Sequence, residues 1–198
     1  MKIIWTILFI LMLNNTVYAI SPINIDMIKE AQDYGQKHNY SPLYDFLQPW
    51  ISYEEKAERL NEGAEHAYLY TSFLLIATDA REKSLNGQKI SLEDSKRIFE
   101  NYGNVLSFSV VLFGDNPYFG QKAKVVLKQN KKVIQNYEVV IPQEAEETFK
   151  RSDKAVFRLQ CYFYFLEKKI ACDKPMILSI VTDQKKVHNF YFATANVK

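Results

Sequence analysis

The sequence is poor in the residues that build cofactor sites. It has two cysteines, six glycines, six prolines and three histidines in 198 residues. It contains no phosphate-binding glycine loop, no dinucleotide fingerprint, no G-x-S-x-G elbow and no H-E-x-x-H zinc motif. The few glycines and prolines, with 47% hydrophobic residues, also argue against disorder or low complexity. We therefore expect one or two folded domains without a cofactor.

The chain lacks an apolar run long enough to cross a bilayer. Residues 3–13 are mainly apolar but fall short of the ~20 residues that a spanning helix needs. They follow Lys2 and precede polar residues and the sequence V-Y-A at residues 17–19, a pattern typical of a secretory signal peptide. We predict a signal peptide at residues 1–19 and a secreted or periplasmic mature protein without a membrane span.

The two halves of the mature chain carry net charges of opposite sign. Residues 20–103 hold nine Lys and Arg against fourteen Asp and Glu, or −5, whereas residues 104–198 hold fifteen against nine, or +6. The halves could dock on each other or expose solvated faces. Alternatively, the basic half could bind an anionic surface polymer. Nucleic acid is not expected as a partner, since no dense basic stripe is present.

Helix-start signals and helical periodicity dominate residues 20–103. Serine before proline marks two starts, an S-x-x-E capping box marks a third, and a capping serine marks the fourth. Phe99 and Tyr102 are expected on the inner side of the last helix. The predicted helices begin at Ser21, Ser41, Ser52 and Ser91 and end at Gly35, Pro49, Asn86-Gly87 and Gly103.

In residues 104–198 the hydrophobic period changes to two, which is typical of strands with one wet face. Polar residues 143–154 are interpreted as a loop or one helical turn. The strand count predicts an α+β fold: a helical N-terminal segment packed on a C-terminal antiparallel β-sandwich, immunoglobulin-like, with six to seven strands. The strands are predicted at residues 106–112, 123–128, 133–141, 155–165, 176–182 and 187–193.

The two cysteines lie in one short stretch, C-Y-F-Y-F-L-E-K-K-I-A-C. If the chain turns back after residue 166, Cys172 falls opposite Cys161 in an antiparallel pair, within reach of a disulfide. Export to an oxidising compartment favours this disulfide over two separate buried thiols. A C-x-x-C redox motif is absent, and no histidine has a ligand-like spacing from either cysteine. We predict a Cys161–Cys172 disulfide and no metal site.

Adjacent aromatic residues in a predicted turn are the first candidate for ligand binding. Asn116, Tyr118 and Phe119 lie in the loop D-N-P-Y-F-G between two strands. Exposed aromatics on rigid loops bury much area at a small entropic cost. The alternative is that the rings fold back over the core.

A second aromatic feature is the strand face that carries Tyr162 and Tyr164. This face could be an exposed aromatic patch or the surface on which the helices pack, and we expect the helices.

An acidic run precedes His66 in the predicted long helix. Glu54, Glu58, Glu62 and Glu65 share one helical face, with His66 one turn after Glu62. Carboxylates beside an imidazole can bind a divalent ion or act as general acid and base. Acidic helix faces are more commonly plain solvated surface.

These features predict an exported, non-catalytic binding module whose partner is another exported protein or an anionic surface polymer. A small secreted hydrolase that uses His66 with Glu62 or Glu65 is one alternative. An envelope structural or assembly component that binds by β-strand addition is the other.

Overall fold

A computed structural model describes residues 24–151, 154–183 and 185–193. Within these ranges the fold is α+β, with four α-helices and ten strands in two antiparallel sheets. None of the helices in these ranges has the length and apolar character needed to cross a membrane. The helices are α1 (Ile25–Lys37), α2 (Leu43–Leu47), α3 (Ser72–Leu85) and α4 (Leu92–Tyr102).

The first sheet has six strands in the order β1-β2-β3-β8, with β6 and β7 both paired to the far edge of β8. The second sheet has four strands in the order β10-β9-β4-β5. This strand order gives no support to an immunoglobulin-like topology. The strands are β1 (Ile51–Tyr53), β2 (His66–Tyr70), β3 (Val105–Gly114), β4 (Lys124–Gln129), β5 (Lys132–Gln135), β6 (Glu138–Val140), β7 (Glu146–Arg151), β8 (Lys154–Leu166), β9 (Met176–Val181) and β10 (Val187–Phe192).

Side-chain caps fix where the helices begin. The hydroxyl of Ser91 accepts a hydrogen bond from the amide of Asp94 at 3.1 Å, which confirms the predicted start of α4. Asn24 caps α1 in the same way, and Thr71 caps α3. The predicted cap at Ser21 lies outside the described residues. Tyr102 and Phe99 in α4 are 56% and 37% exposed, so the expectation that they face inward was wrong.

The predicted long helix from Ser52 is wrong in its first half. Ser52 lies in β1, and its hydroxyl donates to the carbonyl of Tyr191 in β10 at 2.8 Å. Residues 66–70 form β2, which pairs with both β1 and β3. Because this strand is held from both sides by ladder hydrogen bonds, pairing overrides the local capping-box signal. The helix therefore begins only after Thr71.

The segment expected as one strand at residues 133–141 is divided between the sheets. Asn130 and Lys131 have φ of 46° and 66°, which suits a tight hairpin turn from β4 into β5. Two residues after β5, strand β6 joins the other sheet by pairing with β8. The loop expected at 143–154 is also wrong, because residues 146–151 form β7.

Alternate residues of the first sheet turn inward and form the core with the second sheet. Phe108 of β3 lies opposite Phe163 of β8, and both are fully buried. The ring of Phe108 also contacts Phe192 of β10, with centroids 5.2 Å apart. The two sheets therefore share one apolar interior. The opposite face of the first sheet carries a different set of side chains.

Candidate functional site

Tyrosines on two strands flank serines on the strand between them. Strand register places Tyr68, Ser109 and Tyr162 in one row and Tyr70, Ser107 and Tyr164 in the next. Neighbouring strands lie about 4.8 Å apart, so the tyrosines of β2 are separated from those of β8 by about 9.6 Å. We call this feature the tyrosine trough: its floor is Ser107 and Ser109, its walls are Tyr70, Tyr162 and Tyr164, and the buried Tyr68 continues the β2 side.

A cavity of about 290 Å³ lies in the trough. Leu75 of α3 and Tyr102 of α4 line it together with the strand residues, so two helices border the trough. Its size is near the lower limit of small-ligand sites. The lining consists of Tyr70, Leu75, Tyr102, Val105, Ser107, Phe108, Ser109, Tyr162 and Tyr164.

The lining side chains are uncharged at physiological pH. Burial raises the pKa of Tyr70 and of Tyr164, and in the adjoining row it raises the pKa of Tyr68 to about 12. The phenols therefore stay protonated. Tyr162, at 37% exposure, and Tyr102 present their rings to solvent. The trough is thus a neutral, aromatic surface with hydroxyl donors.

A hydrogen-bond relay fixes the direction of two of these hydroxyls. The side-chain amide of Gln160 donates to Ser109 Oγ and to the hydroxyl of Tyr162, each at 3.1 Å. Its oxygen in turn accepts from Arg158 at 3.3 Å. Because Ser109 and Tyr162 each accept from Gln160, each hydroxyl proton remains free for another acceptor.

Negative charge lies close to one end of the trough. The charge of Glu82 helps to raise the pKa of Tyr70, after the larger effect of burial. Glu138 acts in the same way on Tyr164, which lies directly opposite it in the β6–β8 pair. Both carboxylates are on exposed residues. The end of the trough at Tyr70 and Tyr164 is therefore acidic at its rim.

Only part of the predicted binding loop D-N-P-Y-F-G is exposed. Phe119 is 3% exposed and packs so closely on Gly114 that a Cβ there would lie 2.3 Å from its ring. Tyr118 is 50% exposed, and its hydroxyl donates to Glu144 at 2.9 Å. Asn116 accepts from the amide of Tyr118. Phe119 thus folds back into the core, as the alternative expected, and one exposed aromatic remains.

The acidic run does not form a helical face with His66. Glu54, Glu58, Glu62 and Glu65 line an open groove of about 1230 Å³, mixed with basic residues. His66 lies in β2, and its Nδ1 donates to the carbonyl of Ala64 at 2.7 Å. Burial lowers the pKa of His66. Within the described ranges, no group of three His, Cys, Asp or Glu residues is placed to hold a metal ion.

Glu65 contacts a different histidine. His188 Nδ1 donates to Glu65 Oε2 at 2.7 Å, and Lys186 lies 3.2 Å from the same carboxylate. The backbone amide of Phe113 donates to Glu65 Oε1 at 3.1 Å. His188 is 1% exposed. The sequence analysis missed this cluster because His188 is remote from Glu65 in the chain.

The predicted disulfide is not formed, and both cysteines are free thiols. After β8 the chain enters a 3-10 turn at Glu167–Lys169 instead of folding back along the strand. Cys161 is therefore opposite Val110 of β3 and faces the core. Cys172 lies in the following loop, with its Sγ 3.7 Å from a carboxylate oxygen of Glu167. Burial raises the pKa of each thiol to about 12.

Comparisons of the chain with protein-family models, with curated proteins and with solved structures give no match. The function is therefore inferred from the geometry and chemistry of the site.

Proposed function

We propose that the protein is an exported, non-catalytic binding module and that the tyrosine trough is its ligand site. The observation that carries this proposal is the alignment of four tyrosines along two serines on one sheet face. Aromatic rings supply large contact area with few rotatable bonds, and their hydroxyls orient a ligand. The neutral lining favours an uncharged ligand segment.

The lining residues favour binding over catalysis. They include no imidazole, carboxylate, amine or thiol. A serine or tyrosine hydroxyl needs an adjacent base to act as a nucleophile. Raised tyrosine pKa values also keep the phenols as hydrogen-bond donors. These groups can hold a ligand, but they supply no acid–base pair.

We also propose how the two sheets are arranged and where the protein is located. We infer that the two sheets form a sandwich, supported by the contact between Phe108 and Phe192. Residues 1–19, which lie outside the described residues, are proposed as the signal peptide. A rigid sheet face would hold the trough in shape outside the cytoplasm.

The two alternative functions receive less support from the geometry. His66 bonds to a backbone carbonyl and Glu65 bonds to His188, which leaves Glu62, whose charge acts on His66, as the remaining partner for the hydrolase alternative. For strand addition, one described edge of the second sheet is β5, which has only four residues, and the other edge, β10, already bridges to Glu54 and Glu55. Short edges of this kind resist pairing with another chain.

The proposal is tested by following backbone amide chemical shifts during titration with a panel of neutral oligosaccharides and uncharged peptides. Ligand binding should move signals of β2, β3 and β8 around the trough. Tyr162→Ala should abolish these shifts, while Tyr191→Ala, at another exposed tyrosine on β10, should leave them intact. Absence of shifts in the trough with every panel member and with a basic peptide would disprove the proposal.

A further inference from the structure

We propose that the occupant of the trough is a proline-rich segment of another exported protein, held as a polyproline II helix with a basic residue at the end near Glu82 and Glu138. This inference rests on the proposed function. It adds a ligand class and an orientation.

The width of the trough selects a single extended chain. The tyrosines of β2 and those of β8 are about 9.6 Å apart at their Cα atoms, and the rings narrow the space between them further. An α-helix with its side chains has a diameter of about 10–12 Å and would not enter. Serines at the floor leave depth below the rings of Tyr162 and Tyr164. A polyproline II helix, with a rise of about 3.1 Å per residue, presents prolyl rings along such a channel.

Hydrogen-bond chemistry separates a proline-rich chain from an ordinary extended one. Because Ser109 and Tyr162 accept from Gln160, the protons of both hydroxyls are available to an acceptor in the cavity. Proline offers a carbonyl acceptor and no N–H. An ordinary extended chain would also bring backbone N–H groups that need acceptors, whereas a proline-rich chain brings few of them. The donor surface therefore matches a chain that mainly accepts.

Charge gives the ligand a direction. Glu82 and Glu138 are exposed and lie near Tyr70 and Tyr164, at one end of the trough. A Lys or Arg that follows the prolines would be attracted to this end of the trough by the negative charge of both carboxylates. A neutral glycan would stack on the same rings but gain nothing from this charge. The acidic rim therefore favours a basic peptide.

Preorganisation of the peptide lowers the entropic cost of binding. Polyproline II segments populate the bound conformation before binding and lose little backbone entropy. Aromatic-lined grooves on small domains bind such segments by the same physics.

The test is fluorescence anisotropy with a labelled oligoproline peptide that ends in two arginines. Three probes serve as controls: the same peptide with alternating glycine and serine for proline, an oligoproline that ends in two glutamates, and a neutral glucose hexasaccharide measured by competition. We expect the arginine-ended oligoproline to bind best. Its affinity should fall as salt rises, because an exposed charge pair is screened.

Variants assign the contacts. Tyr162→Ala should weaken the peptide by at least about tenfold, as expected for an aromatic anchor. Tyr162→Phe keeps the ring and removes the donor, so affinity should fall by roughly fivefold. Glu82→Gln combined with Glu138→Gln should weaken the arginine-ended peptide by roughly fivefold and reduce its salt dependence. Tyr191→Ala should have no effect.

Each contrary outcome has a distinct meaning. Equal binding of the glycine–serine peptide, or peptide binding that survives Tyr162→Ala, overturns the ligand class. If the arginine-ended oligoproline does not bind but the hexasaccharide shifts the trough amide signals, and Tyr162→Ala abolishes those shifts, the peptide ligand is overturned and the proposed function stands. Failure of all probes here and of the whole neutral panel removes both.

Discussion

Glu65, which is partly exposed, and the buried His188 form a hydrogen-bonded pair, with 2.7 Å between Glu65 Oε2 and His188 Nδ1. Glu65 immediately precedes β2, and it also accepts from the amide of Phe113 in β3. His188 lies in β10 of the second sheet. One carboxylate therefore ties the two sheets together at the end away from the helices. Lys186 of the basic half completes the cluster against this residue of the acidic half.

This cluster predicts an acid-sensitive contribution to stability. Burial alone would raise the pKa of Glu65, but the hydrogen bond and charge of His188, the charge of Lys186 and the amide of Phe113 together hold it below its ordinary value of 4.5. A carboxyl with a depressed folded-state pKa stabilises the fold above about pH 4.5, and this contribution is lost as the pH falls through the folded-state pKa. Glu65→Gln should therefore lower the free energy of unfolding by about 2 kcal/mol near neutral pH.

The measurement is chemical denaturation of wild type and Glu65→Gln from neutral pH to about pH 3. The difference in unfolding free energy should shrink as acid protonates Glu65 in the wild type. Glu58→Gln, at an exposed residue of the same groove, should differ little from wild type at any pH. A constant difference for Glu65→Gln across this range would contradict the assignment.

In the aromatic loop, alanine substitutions of Phe119 and Tyr118 should have very different effects on the free energy of unfolding. Phe119→Ala removes a buried ring that fills the space above Gly114, so it should destabilise the fold by about 3–4 kcal/mol. Tyr118→Ala removes a half-exposed ring and one hydrogen bond to Glu144 and should cost less than about 1 kcal/mol. Thermal and urea unfolding of both variants gives the comparison. Similar losses would show that Phe119 is not part of the core.

The cysteines predict slow thiol chemistry. Burial, and for Cys172 also the neighbouring Glu167, raises each thiol pKa to about 12, so the thiolate fraction is very small near neutral pH. In native protein Cys172, which is partly exposed, should be alkylated slowly, and Cys161 only on unfolding. Glu167→Gln should accelerate alkylation of Cys172 and leave Cys161 unchanged.

Mass spectrometry after iodoacetamide treatment measures both rates. Chain purified without reductant and then denatured should take up label at both cysteines. No uptake in that sample would establish the disulfide that the sequence alone predicts.

Local signals located the elements whose determinants lie within a few residues. The Ser91 cap is set by neighbouring backbone groups, and the sequence predicts it. The S-x-x-E pattern at Ser52 is equally local, but β1 and β2 gain their hydrogen bonds from remote strands. The alternation of Tyr68 and Tyr70 with Ala67 and Leu69 was the available signal for β2.

The trough itself depends on register between remote segments. The sequence shows that Tyr162 and Tyr164 share a face, but it does not show that Ser107 and Tyr70 lie beside Tyr164. The helices were expected to cover this face, whereas the described helices only border it, through Leu75 and Tyr102. Similarly, the cysteine pairing assumed a hairpin. That hairpin does not form, because β8 pairs with β3, β6 and β7 instead.

The short connection between β5 and β6 affects how the protein unfolds. Only Asn136 and Tyr137 separate a strand of one sheet from a strand of the other, and the Tyr137 amide already bonds to the carbonyl of Tyr164. Because this connection is so short, neither sheet can separate without displacing a strand of the other. Loss of structure should accordingly be a single concerted event, and the ligand-bearing face should keep its shape until the whole body melts.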